Sequence, residues 1–110
     1  MNTSTPEPAP LNGTGEPLWP LVIARHHRRP AFVRAARQRH EFGVAKYGTA
    51  LRANNGRNAK VDALQEALDL VVYLEQILQE TDDRAEAMRV RGMQDVAVDL
   101  AQELALMVGA

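Results

Sequence analysis

Three carboxylates set the question of chemistry in this chain. Asp62, Glu66 and Asp69 stand at i, i+4 and i+7, and Tyr73 follows at i+11. At about 100° per residue on a helix, the four fall within roughly 60° of one another. Neighbouring carboxylates repel in water, so a cation between them is favourable. Ligands that are all oxygen suit Mg²⁺ or Mn²⁺ rather than zinc. The same spacing also describes the solvated face of an ordinary amphipathic helix.

The segment that carries these residues has to be a helix for the spacing to matter. Val61, Leu64, Ala67, Leu68, Val71, Leu74 and Leu78 give the i, i+3, i+4, i+7 apolar pattern from Asn58 to about Glu80. Leu70, Val72 and Ile77 widen the apolar arc on both flanks, as in a helix with several neighbours. Asn58 is a good N-cap. Before it, residues 48–57 read as a loop, and Asn55-Gly56 signals a turn because both residues tolerate positive φ.

Upstream, residues 31–46 have helical spacing, with Phe32, Val33, Ala36, Phe42 and Tyr47 broadly on one side and Arg34, Arg37, Gln38 and Glu41 on the other. Pro30 suits the first turn of that helix. Gly43 weakens it near its end, and Gly48 suits its C-terminal cap. Residues 18–29 predict a short helix with Pro20 in its first turn and Trp19 packed beneath. Thr81-Asp82-Asp83 marks a break and a new N-cap. Residues 84–108 are again helical, and Met93, Ala97, Leu100, Leu104 and Met107 form the expected packing seam. Residues 1–17, rich in Pro, Thr, Gly and Ser, predict a disordered tail.

The expected fold class is therefore all-α: a bundle of about four helices in one domain over residues 18–110, completed by oligomerisation. The 110-residue length, the 45% hydrophobic content and the prevalence of Ala and Leu over aromatics agree with it. The absence of cysteine excludes disulfides, thiolate metal sites and Cys nucleophiles. No apolar run approaches a membrane span, and no signal-peptide pattern opens the chain, so a soluble cytoplasmic protein is expected.

The residues then suggest a family. Lys46-Tyr47-Gly48-Thr49, Asn55-Gly56-Arg57 and Asp62-x-x-x-Glu66-x-x-Asp69, taken together, resemble the small phage-type MazG-like proteins among the all-α nucleoside triphosphate pyrophosphohydrolases. The resemblance covers residues 34–77. It implies a Mg²⁺ (or Mn²⁺) site built from an E-x-x-E pair on one helix and an E-x-x-D pair on a later one. Glu66-Ala-Leu-Asp69 matches the second pair. The first falls on Gln38 and Glu41, so Glu41 matches and Gln38 departs, with Asp62 a substitute carboxylate.

By the same resemblance Glu41, Asp62, Glu66 and Asp69 hold the metal, and Glu41 or Glu66 serves as the catalytic base. Arg37, Lys46 and Arg57 would contact phosphates, unless Arg37 pairs with Glu41; Tyr47 would stack on the base or else sit in the core, and Asn55 would read a base edge or else make the turn. The substrate is a (deoxy)nucleoside triphosphate, cut to a monophosphate and pyrophosphate, and the protein a dimer or tetramer.

Charge offers an alternative. Residues 1–57 hold nine Lys/Arg against three Asp/Glu, and residues 58–110 hold four against eleven. The basic stretch from Arg25 to Arg39 could neutralise nucleic-acid phosphates. The net charge of −1 and pI near 6.3 speak against that reading. A helical assembly protein that lost activity with the carboxylate at Gln38 is a third. His26, His27 and His40 have no metal-ligand spacing and read as surface residues; Met88, Met93 and Met107 read as seam residues.

Overall fold

The computed structural model describes residues 12–109. Within them the chain is all-α, with four helices: α1 Leu18–Arg25, α2 Pro30–Tyr47, α3 Ala59–Glu80 and α4 Arg84–Val108. The sequence reading treats 18–110 as one domain. The described residues group into two compact units, one running to Arg57 and the other beginning at Asn58.

The first unit is built by pinning a strap onto a loop. Residues 1–11 of the expected tail lie outside the described residues. Residues 12–17, also expected in the tail, are held by hydrogen bonds. Thr14 N–H donates to Ala53 O at 2.7 Å, and Leu18 N–H donates to Leu51 O at 2.8 Å. Arg52 Nε donates to Gly15 O at 3.2 Å, and Asn54 Nδ2 to Thr14 Oγ1 at 2.8 Å. Gly13 has φ +79°, and a Cβ there would collide with the Ala53 carbonyl oxygen, so only glycine lets the strap lie this close. The composition of the tail is low in apolar residues, but backbone hydrogen bonds fix the strap without them.

α1 and α2 pack on each other within this unit. Pro30 opens α2 at its first turn, where a missing N–H costs nothing. Gly48 ends it in the left-handed conformation, φ +73°, with its N–H on Val44 O at 2.8 Å. Ala36 is the buried residue of α2. In the loop that follows, the positive φ values fall on Asn54 (+55°) and Gly56 (+82°) rather than on Asn55 and Gly56. Asn55 makes the turn by its side chain instead, Oδ1 accepting from Arg57 N–H at 3.1 Å.

The second unit is an α3–α4 hairpin. Asn58 caps α3, its Oδ1 accepting from Val61 N–H at 3.2 Å. Asp83 caps α4, with Oδ1 accepting from Ala85 N–H at 2.9 Å and Glu86 N–H at 3.1 Å. Leu74, Val90 and Ala97 form the hairpin's core cluster, with Val71 and Leu78 packed against it. Gln94 adds a polar tie, donating from α4 to the Val71 carbonyl of α3 at 3.2 Å.

The seam of α4 differs from the expected one. Val90, Ala97 and Ala101 are buried and Leu104 is half-buried. Met88, Met93, Leu100 and Met107, expected in the seam, are all more than half exposed. At 100° per residue the seam is rotated by about 60° from the expected line. Small residues let the two helices approach, so the alanines take the contact and the larger side chains are displaced to the flanks. Gly92 does not interrupt α4.

Candidate functional site

The carboxylate face of α3 exists as the spacing implies. Asp62, Glu66 and Asp69 fall on the side of α3 away from buried Leu64, Ala67 and Leu74 and half-buried Val71, at about 100° per residue. Glu66 and Asp69 are exposed, Asp62 is half-buried, and Tyr73 is 63% exposed on the same face. The cause is local: a core stripe centred on Leu64, Val71 and Leu78 leaves the opposite stripe to solvent.

What three carboxylates on one helix can hold follows from the helix rise. Positions i and i+7 are separated by about 10 Å along the axis, so one ion cannot take all three. Among the described residues no group of three or more His, Asp or Glu side chains converges as a metal-binding cluster. The donors of the i, i+3 pair Glu66 and Asp69 do suit magnesium, which is commonly held by one or two carboxylates, with water and substrate phosphates completing the shell.

The remaining expected residues belong to the first unit. Glu41 and Gln38 are exposed on α2, on the side away from buried Ala36, and Arg34 and Arg37 share that exposed side. Lys46 places its Nζ 5.3 Å from the centroid of the Tyr47 ring. Arg57 is half-buried beside the Asn55 turn. Asn55 is half-buried, its side-chain oxygen already engaged by Arg57 N–H. It thus shapes the turn.

Tyr47 was expected at a base or in the core, and it occupies neither a core position nor the Glu41 face. It is 53% exposed and lines a cavity between α1, the second half of α2 and residues 49–51. Tyr47 and Glu41 are about 120° apart around α2, so they do not serve one ligand from the same face. His40, expected at the surface, is half-buried on the wall of this cavity. His26 and His27 are exposed as expected; His26 meets the Phe32 ring edge-on at 5.9 Å. Sequence reading missed Trp19, Arg39 and Gly43 as members of a common cavity. A glycine inside a helix was the available signal, read there as a weakness of the helix.

No helix among the described residues is long and apolar enough to cross a membrane. No family model, characterised protein or solved structure matches this chain.

Proposed function

We propose that the protein is a metal-dependent nucleoside triphosphate pyrophosphohydrolase of the MazG-like kind, acting as a homo-oligomer. The observation that carries the reading is the exposed Glu66–Asp69 pair on the solvent face of α3, set within the sequence pattern of Lys46 to Thr49, Asn55 to Arg57 and Asp62 to Asp69. Glu41, Arg37, Lys46, Tyr47, Asn55 and Arg57 enter from the sequence resemblance alone.

In this reading Glu66 and Asp69 would hold Mg²⁺ or Mn²⁺, which would neutralise charge on the triphosphate and lower the pKa of water. Water adds at the α-phosphorus, the bond to the β-phosphate oxygen breaks, and the products are a monophosphate and pyrophosphate. Glu66 or Glu41 accepts the proton of the attacking water. Lys46 and Arg57 hold phosphate oxygens, as a point charge and a planar fork respectively. A deoxynucleotide such as dATP or dGTP is the expected substrate class.

The test is direct. The protein is incubated with each ribo- and deoxynucleoside triphosphate in Mg²⁺ or Mn²⁺, and pyrophosphate is measured. Release is expected for at least one nucleotide, and Glu66→Gln is expected to lower it at least a hundredfold. A folded protein that releases none from any nucleotide refutes the hydrolase reading; unchanged turnover in Glu66→Gln places the chemistry elsewhere.

A second reading has its own observation. Arg25, Arg28, Arg29, Arg34 and Arg37 are all exposed along α1, α2 and the link between them. Such a strip favours phosphate backbones, and salt-dependent gel shifts with generic DNA or RNA would support it over hydrolysis.

A further inference from the structure

We infer that the cavity of the first unit is a binding site for a small planar ring that carries an anionic group. The inference does not depend on whether nucleotides are hydrolysed.

The cavity begins with a glycine. Gly43 sits inside α2, where glycine is a poor choice because it gives up backbone entropy without gaining a side-chain contact. A close neighbour usually explains such a residue. Here there is none: a Cβ built on Gly43 finds no atom within 4 Å. The missing side chain opens instead onto a cavity of about 130 Å³.

The walls of this open cleft come from three segments of the unit. Arg39, Gly43 and Tyr47 recur at i, i+4 and i+8 on one side of α2, with His40 and Val44 beside them, on the side of buried Ala36. Trp19 closes the cavity from α1. The Leu18–Leu51 and Thr14–Ala53 backbone hydrogen bonds fix α1 and residues 49–51 to each other, so this wall is preformed.

Size and lining choose the ligand. A cavity of roughly 150 Å³ admits one benzene-sized ring, whereas drug- and cofactor-sized ligands need roughly 300 Å³ or more. Trp19, Val44, Tyr47 and Leu51 offer apolar and aromatic surface for a ring. The polar side chains are Arg39, His40 and Thr49, and none of the lining residues is acidic. The Arg39 guanidinium carbon lies 5.1 Å from the Phe42 ring centroid, a cation–π contact that restrains the side chain. Thr49 Oγ1 accepts from Arg52 Nη1 at 3.2 Å, which leaves its O–H to donate. Donors without acceptor charge favour a carboxylate or phosphate on the ring.

Trp19 is the one tryptophan of the chain, so its fluorescence reports on this wall alone. The full-length protein is titrated with benzoate, with benzyl alcohol as the uncharged ring, and with acetate as the anion without a ring. Benzoate is expected to give a saturable change, benzyl alcohol binding at least fivefold weaker, and acetate none. Arg39→Gln should bring benzoate to the level of benzyl alcohol. Gly43→Leu should weaken both rings at least tenfold while the thermal midpoint holds or rises, because the new side chain fills the cavity and favours the helix. Backbone amide NMR shifts in the unmutated protein supply an independent check should the leucine variant fail to fold. They are expected at Gly43, Thr49, Ala50 and Leu51 on adding benzoate. No saturable response to either ring, equal affinity in a folded Gly43→Leu, or shifts confined to α3 and α4 would overturn the site. Benzyl alcohol binding as tightly as benzoate would overturn its anion preference.

Discussion

Two amides converge on Glu75. Gln79, one turn later on α3, donates to Oε2 at 2.7 Å, and Gln94 donates from α4 to Oε1 at 3.2 Å. These bonds favour the charged carboxylate and hold it below the usual range; Gln79 contributes most, then Gln94, desolvation opposes them, and the charge of Arg91 adds least. Because the folded value is depressed, the contribution to stability is present above the unfolded value and is lost as pH falls through the folded one. The loss therefore falls on the acid side, and neutral pH leaves it untouched. Side-chain NMR titration should find the Glu75 midpoint rising in Gln79→Ala and rising less in Gln94→Ala. An unmoved midpoint in both variants would show that the amides do not set it. Glu75 also marks what a sequence hides at this scale. Gln79 follows it by four residues and its role is readable from spacing. Gln94 is nineteen residues away, and only the packing of α4 brings it there.

At the scale of elements, the α4 seam gives the sharpest contrast between pattern and packing. Met93, Ala97, Leu100, Leu104 and Met107 keep the three–four alternation of a seam, and so do Val90, Ala97, Ala101 and Leu104. Hydrophobic size selects the first line; close approach of α3 and α4 selects the second, because alanine costs the least distance between helices. The two lines predict opposite mutational responses. Ala97→Leu and Ala101→Leu should destabilise by about 1–3 kcal/mol through overpacking. Leu100→Ala should change stability by less than about 0.5 kcal/mol in the dissociated chain, as for most exposed positions. Thermal unfolding of the three variants, at a concentration where the chain is dissociated, reads this out; the reverse order would restore the seam of methionines and leucines. The helix ends were legible because each has a local cause: Pro30, Gly48, Asn58 and Asp83 act within their own turns. The carboxylate face of α3 was legible for the same reason. The strap of residues 12–17 was not, since its hydrogen bonds run to partners some forty residues away. Nor was the cavity, which needs Trp19 and Leu51 beside Gly43.

Across the whole molecule, the burial is slight for the length of chain. Eight hydrophobic residues among those described are buried, and four of them are alanines, namely Ala36, Ala67, Ala97 and Ala101. No large side chain among them is fully enclosed. Alanines bury little area each, while ordering every residue costs about 1–2 kcal/mol of backbone entropy. Meanwhile Leu70, Val72 and Tyr73 on α3, and Met88, Val96 and Leu106 on α4, are 45% to 70% exposed. Exposed apolar residues on both helices of one hairpin suit the self-association proposed above. A second copy that binds the folded chain stabilises it by mass action, by about 2.7 kcal/mol when present at a hundred times its dissociation constant. The expectation is that sedimentation velocity shows a dimer or tetramer and that the thermal midpoint climbs with protein concentration. Val72→Glu and Val96→Glu should each shift the molecule toward monomer and flatten that climb. In a true monomer the same substitutions, at positions already more than 60% exposed, would leave stability nearly unchanged. A single monomeric species at every concentration, with a constant midpoint, would mean that this slight core suffices by itself and that the exposed hairpin faces do not drive self-association.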